Sequence, residues 1–379
     1  KIRKECNMPK QYKLKNYHFQ LIIYICALTI IGIMIIGSAK ESVQSKQIIG
    51  FAIGIVMMSV VSLIDYNFIL KFSWIYYFGI IFMLLLVKSP IGHSAGGAQR
   101  WIKLGGFTFQ PSELAKIVIV LFFAAFFVKY NENLNSVKVI GASFALVAVP
   151  LVLILTQPDL STTIVSTIIF IVLLFIAGLS YKIIVSVLAV VAPIAMVLLV
   201  YVVQLAQSTE TEVPYQIKRI LAWLYPTDPR FSDLALQQQN SIMAIGSGQL
   251  WGKGLNNSEA ASLKNTGYII EPQTDFIFAV IGEELGFVGT TAVIVLLFLI
   301  VIECIYIGSR AKDLQGRLIC CGMASLVGFQ SFVNICVATG LFPNTGIPLP
   351  FVSYGLTSIV SIFLGMGLVL NVGLQPKKY

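Results

Sequence analysis

The chain has 379 residues, 57% hydrophobic and 11% charged, with 26 Lys and Arg against 17 Asp and Glu for a formal net charge of +9. A soluble domain carries about 25% charged residues, so a chain this apolar cannot hide its surface from water. The basic excess would suggest nucleic acid in a soluble protein, but here it falls between apolar runs. It therefore reads as membrane orientation with no nucleic-acid partner.

Roughly 20 apolar residues cross a bilayer as a helix, the one single-segment form that satisfies its own backbone amides in lipid. Ten such spans are predicted, at 20–37, 46–64, 72–88, 112–129, 138–156, 160–178, 182–205, 287–307, 317–340 and 350–373. The expected fold is an all-α polytopic membrane protein, one domain over residues 1–379, set in membrane lipid. A basic head over residues 1–19 runs into the first span without a small-residue cleavage site, so that span is expected to be retained. With this head inside, the inner segments collect Lys71, Lys129, Lys138, Lys182, Arg310, Lys312, Arg317, Lys377 and Lys378, which places both termini in the cytoplasm. The six cysteines fall in spans or in the head and read as small apolar fillers.

One large extracytoplasmic loop, 206–286, separates the seventh and eighth spans. Its Trp223, Leu224, Tyr225 and Trp251 argue for packing on the outer mouth, and DFIFAVIGEELG from Asp275 is apolar but too short to span. A short interfacial or re-entrant helix is predicted there.

Ionisable groups at membrane depth cost roughly 2.5 to 3.5 kcal/mol or more, so each needs a partner or a task. In GAQRWIKLGGFTFQPSELAK, Glu113 and Lys116 share a helical face at spacing i,i+3. They either neutralise each other, or Lys116 joins Arg100 in binding an anion such as pyrophosphate. In TQPDLST, Asp159 stands where a span begins and suits a helix cap. Lys218 and Arg219 are adjacent near the expected membrane surface, where solvation alone accounts for a basic pair. In IEPQTDFIF, Glu271 and Asp275 precede an apolar run. Thr274 or Asp275 is either a cap, or the carboxylates face an outer cavity as a general base beside basic residues. The two histidines, His18 and His93, lie far apart in the chain, so no histidine-rich metal site or Ser/His/Asp triad is expected. P-loop and dinucleotide motifs are absent, and no cofactor is evident.

In chain order, GAQRW, FQPSELAK, QPDL, AIGSGQLWGKGL, EPQTDFIFAVIGEELGFVG and GLFPNTGIPLPFVSYG resemble the SEDS family, the RodA, FtsW and SpoVE type of cell-wall glycosyltransferases, over Arg100 to Asn371. The resemblance implies a ten-helix peptidoglycan polymerase of the bacterial cytoplasmic membrane. It would join lipid II units to a growing glycan strand on the outer face, beside a class B penicillin-binding protein acting as transpeptidase. It places the family's essential aspartate on Asp275 and further family positions on Arg100, Glu113, Lys116 and Asp159. Lys218, Arg219 and Glu271 complete the expected substrate-binding set, and a divalent cation on the substrate pyrophosphate is left open. The chain departs from the family with Ser161 after QPDL, Leu356 after SYG and Ile270 before Glu271, where the family has Gly, Gly and Pro. A lipid II flippase is the competing expectation, and a scaffold without catalysis a third.

Overall fold

The computed structural model describes residues 17–95, 98–104, 107–183, scattered positions from 185 to 204, 215–256 and 271–375. Eight helices are long and apolar enough to cross a membrane among these residues. They are α1 (Phe19–Ala39), α2 (Glu41–Leu63), α5 (Pro111–Lys129), α6 (Val137–Leu155), α7 (Leu160–Ala177), α10 (Ile277–Ser309), α11 (Leu314–Ala338) and α12 (Leu356–Leu374). A shorter helix, α4 (Ser73–Leu86), fills the place of the third expected span, and a one-turn helix, α3 (Tyr66–Leu70), precedes it. At 14 residues α4 is shorter than a standard crossing. In the expected seventh span, 182–205, the described positions through 204 are helical. The expected head lies outside the described residues up to position 16.

Burial follows each helix's place in the bundle. α5 and α12 are enclosed on most sides, whereas α1, α2 and α6 turn much of their surface outward, as helices meeting lipid do. One continuous core of aliphatic and aromatic side chains joins them, with Phe122, Phe123, Phe127 and Phe170 stacked edge and face between α5 and α7. α2 and α12 approach closely because Gly54 lies against Phe363, and Gly367 against Met58.

The fold is all-α as expected, with one small addition. Residues before α5 form a small antiparallel sheet, β1 (Gly92–Ala95), β2 (Ala98–Leu104) and β3 (Phe107–Phe109), in the order β1-β2-β3. The strand Ala98–Leu104 is short and partly polar, and it pairs with β1 on one side and β3 on the other.

The long loop carries two helices, α8 (Tyr215–Leu224) and α9 (Ser232–Ser247); residues 205–214 and 257–270 lie outside the described set. Both pack on the end of α11. Trp223 Nε1 donates to Gly340 O (2.9 Å), Gln238 Nε2 to Val337 O (2.8 Å) and Phe342 O (2.6 Å), and Ser241 Oγ to Ala338 O (2.7 Å).

The expected short helix after Asp275 is the first part of α10, which breaks at Gly286 (φ 64, ψ −160) before the long apolar part begins. The chain after α9 fills the break. Phe287 N–H donates to Gln249 O (2.8 Å), and Lys253 N–H to Glu283 O (2.9 Å). These bonds satisfy backbone groups that a broken helix in lipid would otherwise leave bare. A Cβ on Gly286 would stand 2.3 Å from Gly252 N, so only glycine fits the interlock at that φ.

Candidate active site

Four segments converge at the end of the bundle that also carries the sheet, α8 and α9. They are the turn 271–276, the loop 344–355 between α11 and α12, the start of α7, and Arg219 on α8. The turn forms because Glu271 O accepts from Thr274 N–H (3.1 Å) and Thr274 Oγ1 (3.0 Å), with Glu271 itself at φ 52. The N-cap of α10 is Phe276, and no side chain caps it, so neither Thr274 nor Asp275 serves as the helix cap. Asp275 is therefore released from the structural task that its position suggested.

The turn is held through its backbone. Asn334, buried on α11, donates from Nδ2 to Asp275 O (2.9 Å) and Ile347 O (2.7 Å). Ser353 Oγ donates to Thr274 O (2.6 Å), and Tyr354 N–H donates to Gln273 O (2.8 Å). The Asp275 side chain, half-buried, faces Arg219 across Gly346. A Cβ built on that glycine would lie 3.2 Å from Arg219 Nη1 and 3.3 Å from Asp275 Oδ2, and its φ is +72. Glycine is thus needed both for the backbone and for the gap between the two charges. Arg219 Nη1 also donates to Asn344 O at 3.4 Å.

Burial pushes the Asp275 carboxyl up to about 6; Arg219 opposes the rise, Glu271 adds to it, Arg100 opposes it and Asp159 adds to it. Two carboxylates and two guanidinium groups therefore set the charge that Asp275 meets. Glu271 is exposed, and Lys218 is half-buried beside Arg219. Arg100, on β2, donates from Nε to Gln157 O (3.1 Å) and from Nη2 to Pro158 O, which ties the sheet to the start of α7. Asp159 caps α7, its Oδ1 accepting from Thr162 N–H at 3.1 Å. Ser161, at the departure from the family pattern, donates to Thr345 O at 2.5 Å and joins α7 to the loop that carries Gly346.

Glu113 and Lys116 are placed differently. Both are buried, and Lys116 Nζ donates to Glu113 Oε1 (2.8 Å) and to Gln330 Oε1 (2.7 Å). Gln330 Nε2 in turn donates to Pro348 O at 2.9 Å. Lys116 thus pairs with Glu113 and reaches the site loop through Gln330.

The sequence reading passed over Asn334, Gln330, Ser353 and Gly346. Asn334 and Gln330 had a usable signal, as polar amides within an apolar span. No group of three or more His, Cys, Asp or Glu among the described residues is arranged to hold a metal ion, and the positive charge at Asp275 comes from arginine.

The bundle and its carboxylate-arginine cluster define a multi-pass membrane protein with a polar site at one end. The chain belongs to the cell cycle protein family of FtsW, RodA and SpoVE, whose model matches residues 11–378. It is 32% identical over 382 residues to the probable peptidoglycan glycosyltransferase FtsW of Geobacter sulfurreducens, covering 96% of this chain and 97% of that one. It is 33% identical over 370 residues to stage V sporulation protein E of Bacillus subtilis, covering 93% and 95%. Its fold matches a chain solved in a study of polymerization and crosslinking by a peptidoglycan synthase complex, with TM-score 0.76, 27% identity and 94% and 97% coverage.

Proposed function

We propose that the protein is a peptidoglycan glycosyltransferase that polymerises lipid II, with Asp275 as general base for the incoming sugar hydroxyl. The observation that carries this reading is the Asp275 environment: a carboxylate excused from capping, fixed through its backbone and set across Gly346 from Arg219. Family membership supports the reaction class.

Glycosyl transfer from a pyrophosphate lipid needs a base on the acceptor hydroxyl and positive charge where the pyrophosphate departs. A carboxyl near 6 is mostly ionised at neutral pH yet basic enough to take a proton as the new bond forms. The hydroxyl oxygen attacks the sugar anomeric carbon, the carbon–oxygen bond to pyrophosphate breaks, and the proton passes to Asp275. Arg219 and Arg100 then face the charge on the leaving pyrophosphate, with Lys218 beside them and Glu271 bordering the turn. Glu113, Lys116 and Asp159 hold the frame. In this reading the site end lies outside the cytoplasmic membrane and both termini lie inside, following the distribution of Lys and Arg. The partner is a class B penicillin-binding transpeptidase, and a divalent cation on the pyrophosphate would share the work of the arginines.

The test is to incubate the purified protein with lipid II, with and without the transpeptidase, and to separate the products on a glycan gel. Glycan strands that depend on Asp275 support the reading. Transport of lipid II between leaflets without polymer would favour the flippase instead.

A further inference from the structure

We infer that Gln47 is a positioning residue for Asp275, acting from α2 through the Ser353–Tyr354 turn. The inference rests on the reading of Asp275 given above. Gln47 is fully buried, two turns into a membrane helix, and makes both of its hydrogen bonds to the backbone of a single distant turn. Its Nε2 donates to Ser353 O (3.2 Å), and its Oε1 accepts from Gly355 N–H (3.3 Å). Between those contacts, Tyr354 N–H donates to Gln273 O (2.8 Å), while Ser353 Oγ accepts from Leu349 N–H (2.7 Å) and donates to Thr274 O (2.6 Å). Gln273 and Thr274 immediately precede Asp275.

The path is therefore unbroken: α2, Gln47, the 353–355 turn, the 273–274 backbone, Asp275. Asn334 holds the 271–276 turn itself by the Asp275 carbonyl. Two buried amides thus bear on the 271–276 turn, Gln47 on α2 through the 353–355 turn and Asn334 on α11 directly, and neither bonds the carboxylate itself. The chemistry at position 47 is specific, because the two backbone groups need one donor and one acceptor at fixed reach. Glutamine supplies both. Methionine matches its length and supplies neither, and a carboxylate supplies only the acceptor. A buried amide that served only to join helices could bond any nearby backbone, whereas both bonds of Gln47 go to the 353–355 turn, which in turn bonds Gln273 O and Thr274 O.

The experiment compares the parent, Gln47→Met, Gln47→Glu, Ser353→Ala and the double variant Gln47→Met with Ser353→Ala, each purified and quantified as folded protein. Polymerisation of lipid II and backbone hydrogen exchange over 271–276 and 353–355 are both measured. Gln47→Met is expected to lower kcat about tenfold with KM within about twofold, as displacement of a catalytic group by a fraction of an ångström does. The double variant should fall short of the product of the single effects, since both act on one turn. Exchange over 271–276 should quicken, while α6 is unchanged. Gln47→Glu should move in the same direction, which keeps the test open if Gln47→Met does not fold. A lower melting temperature with unchanged kcat per folded molecule overturns the inference, and so do fully multiplicative effects on kcat. If the parent makes no glycan, the reading of the function fails on its own. Gln47 is then judged by exchange, and unaltered exchange over 271–276 overturns it.

Discussion

Two polar clusters sit at opposite ends of this bundle and are built on opposite plans. At the end away from the site, every principal group is bonded to another side chain or backbone. His18 Nδ1 lies 2.7 Å from Glu303 Oε1, Tyr66 OH donates to Asp313 Oδ2 (2.7 Å), Asn371 Nδ2 donates to Ser62 O (2.8 Å), and Gln375 bridges Lys312, Asn371 and Asp65. At the site end, the bonds that hold the 271–276 turn go to its backbone. Asn334, Ser353 and Tyr354 fix the turn, and the Asp275 carboxylate faces Arg219 across the gap at Gly346. Polar groups that satisfy one another in a membrane hold helices together. A carboxylate whose segment is held through its backbone is equipped to act on something else.

That contrast is broken most severely at Asp275. Asp275→Asn keeps size and backbone contacts, so the protein should fold and insert, but polymerisation should drop about 10²- to 10⁴-fold on a glycan gel. Arg219→Ala should come next. Loss of one charge-assisted contact is worth about 1.5 to 3 kcal/mol, or roughly 10- to 150-fold in the rate at limiting lipid II. Gly346→Ala places a methyl between the two charges at a φ that favours glycine, and should lower kcat roughly tenfold with about 1 kcal/mol of destabilisation. At the other end, Glu303→Gln should cost about 1 to 3 kcal/mol of stability by weakening the hydrogen bond between His18 and the Glu303 carboxylate, read as an earlier melting transition. Activity per folded molecule should stay within about twofold of the parent. A large loss of activity from Glu303→Gln with stability intact would erase the distinction between the two ends.

Much of the fold was legible because lipid leaves few choices. Apolar runs of sufficient length must be helices, and α1, α2, α5, α6, α7, α11 and α12 begin and end within a few residues of the expected spans, apart from α2 and α12, whose starts differ by five and six residues. The sheet at Gly92–Phe109 was not legible, because its short strands carry no long period and its pairing is visible only once the chain turns back. The start of α4 was legible from Lys71, but the one-turn α3 before it, five residues long, carries no period to read. At the site, the charged residues stood out against an apolar background. Their grouping did not, since Arg219 meets Asp275 only after α8 folds back over the end of α11. Asp159 was legible as a cap, and the sequence left Lys116 between pairing and anion binding until Gln330 was placed beside it.

The most direct test is the pH dependence of kcat/KM for lipid II polymerisation, measured in the parent, Glu271→Gln and Arg219→Gln. Asp275 must be ionised to accept a proton, and its carboxyl sits near 6, so the parent rate should fall as pH drops through about 6. Removing the Glu271 charge should move this acid limb to lower pH, and removing the Arg219 charge should move it to higher pH, because the two groups act on Asp275 with opposite sign. A parent profile that stays flat between pH 5 and about 7.5, or a limb that neither substitution moves, would contradict the assignment of Asp275 as the base.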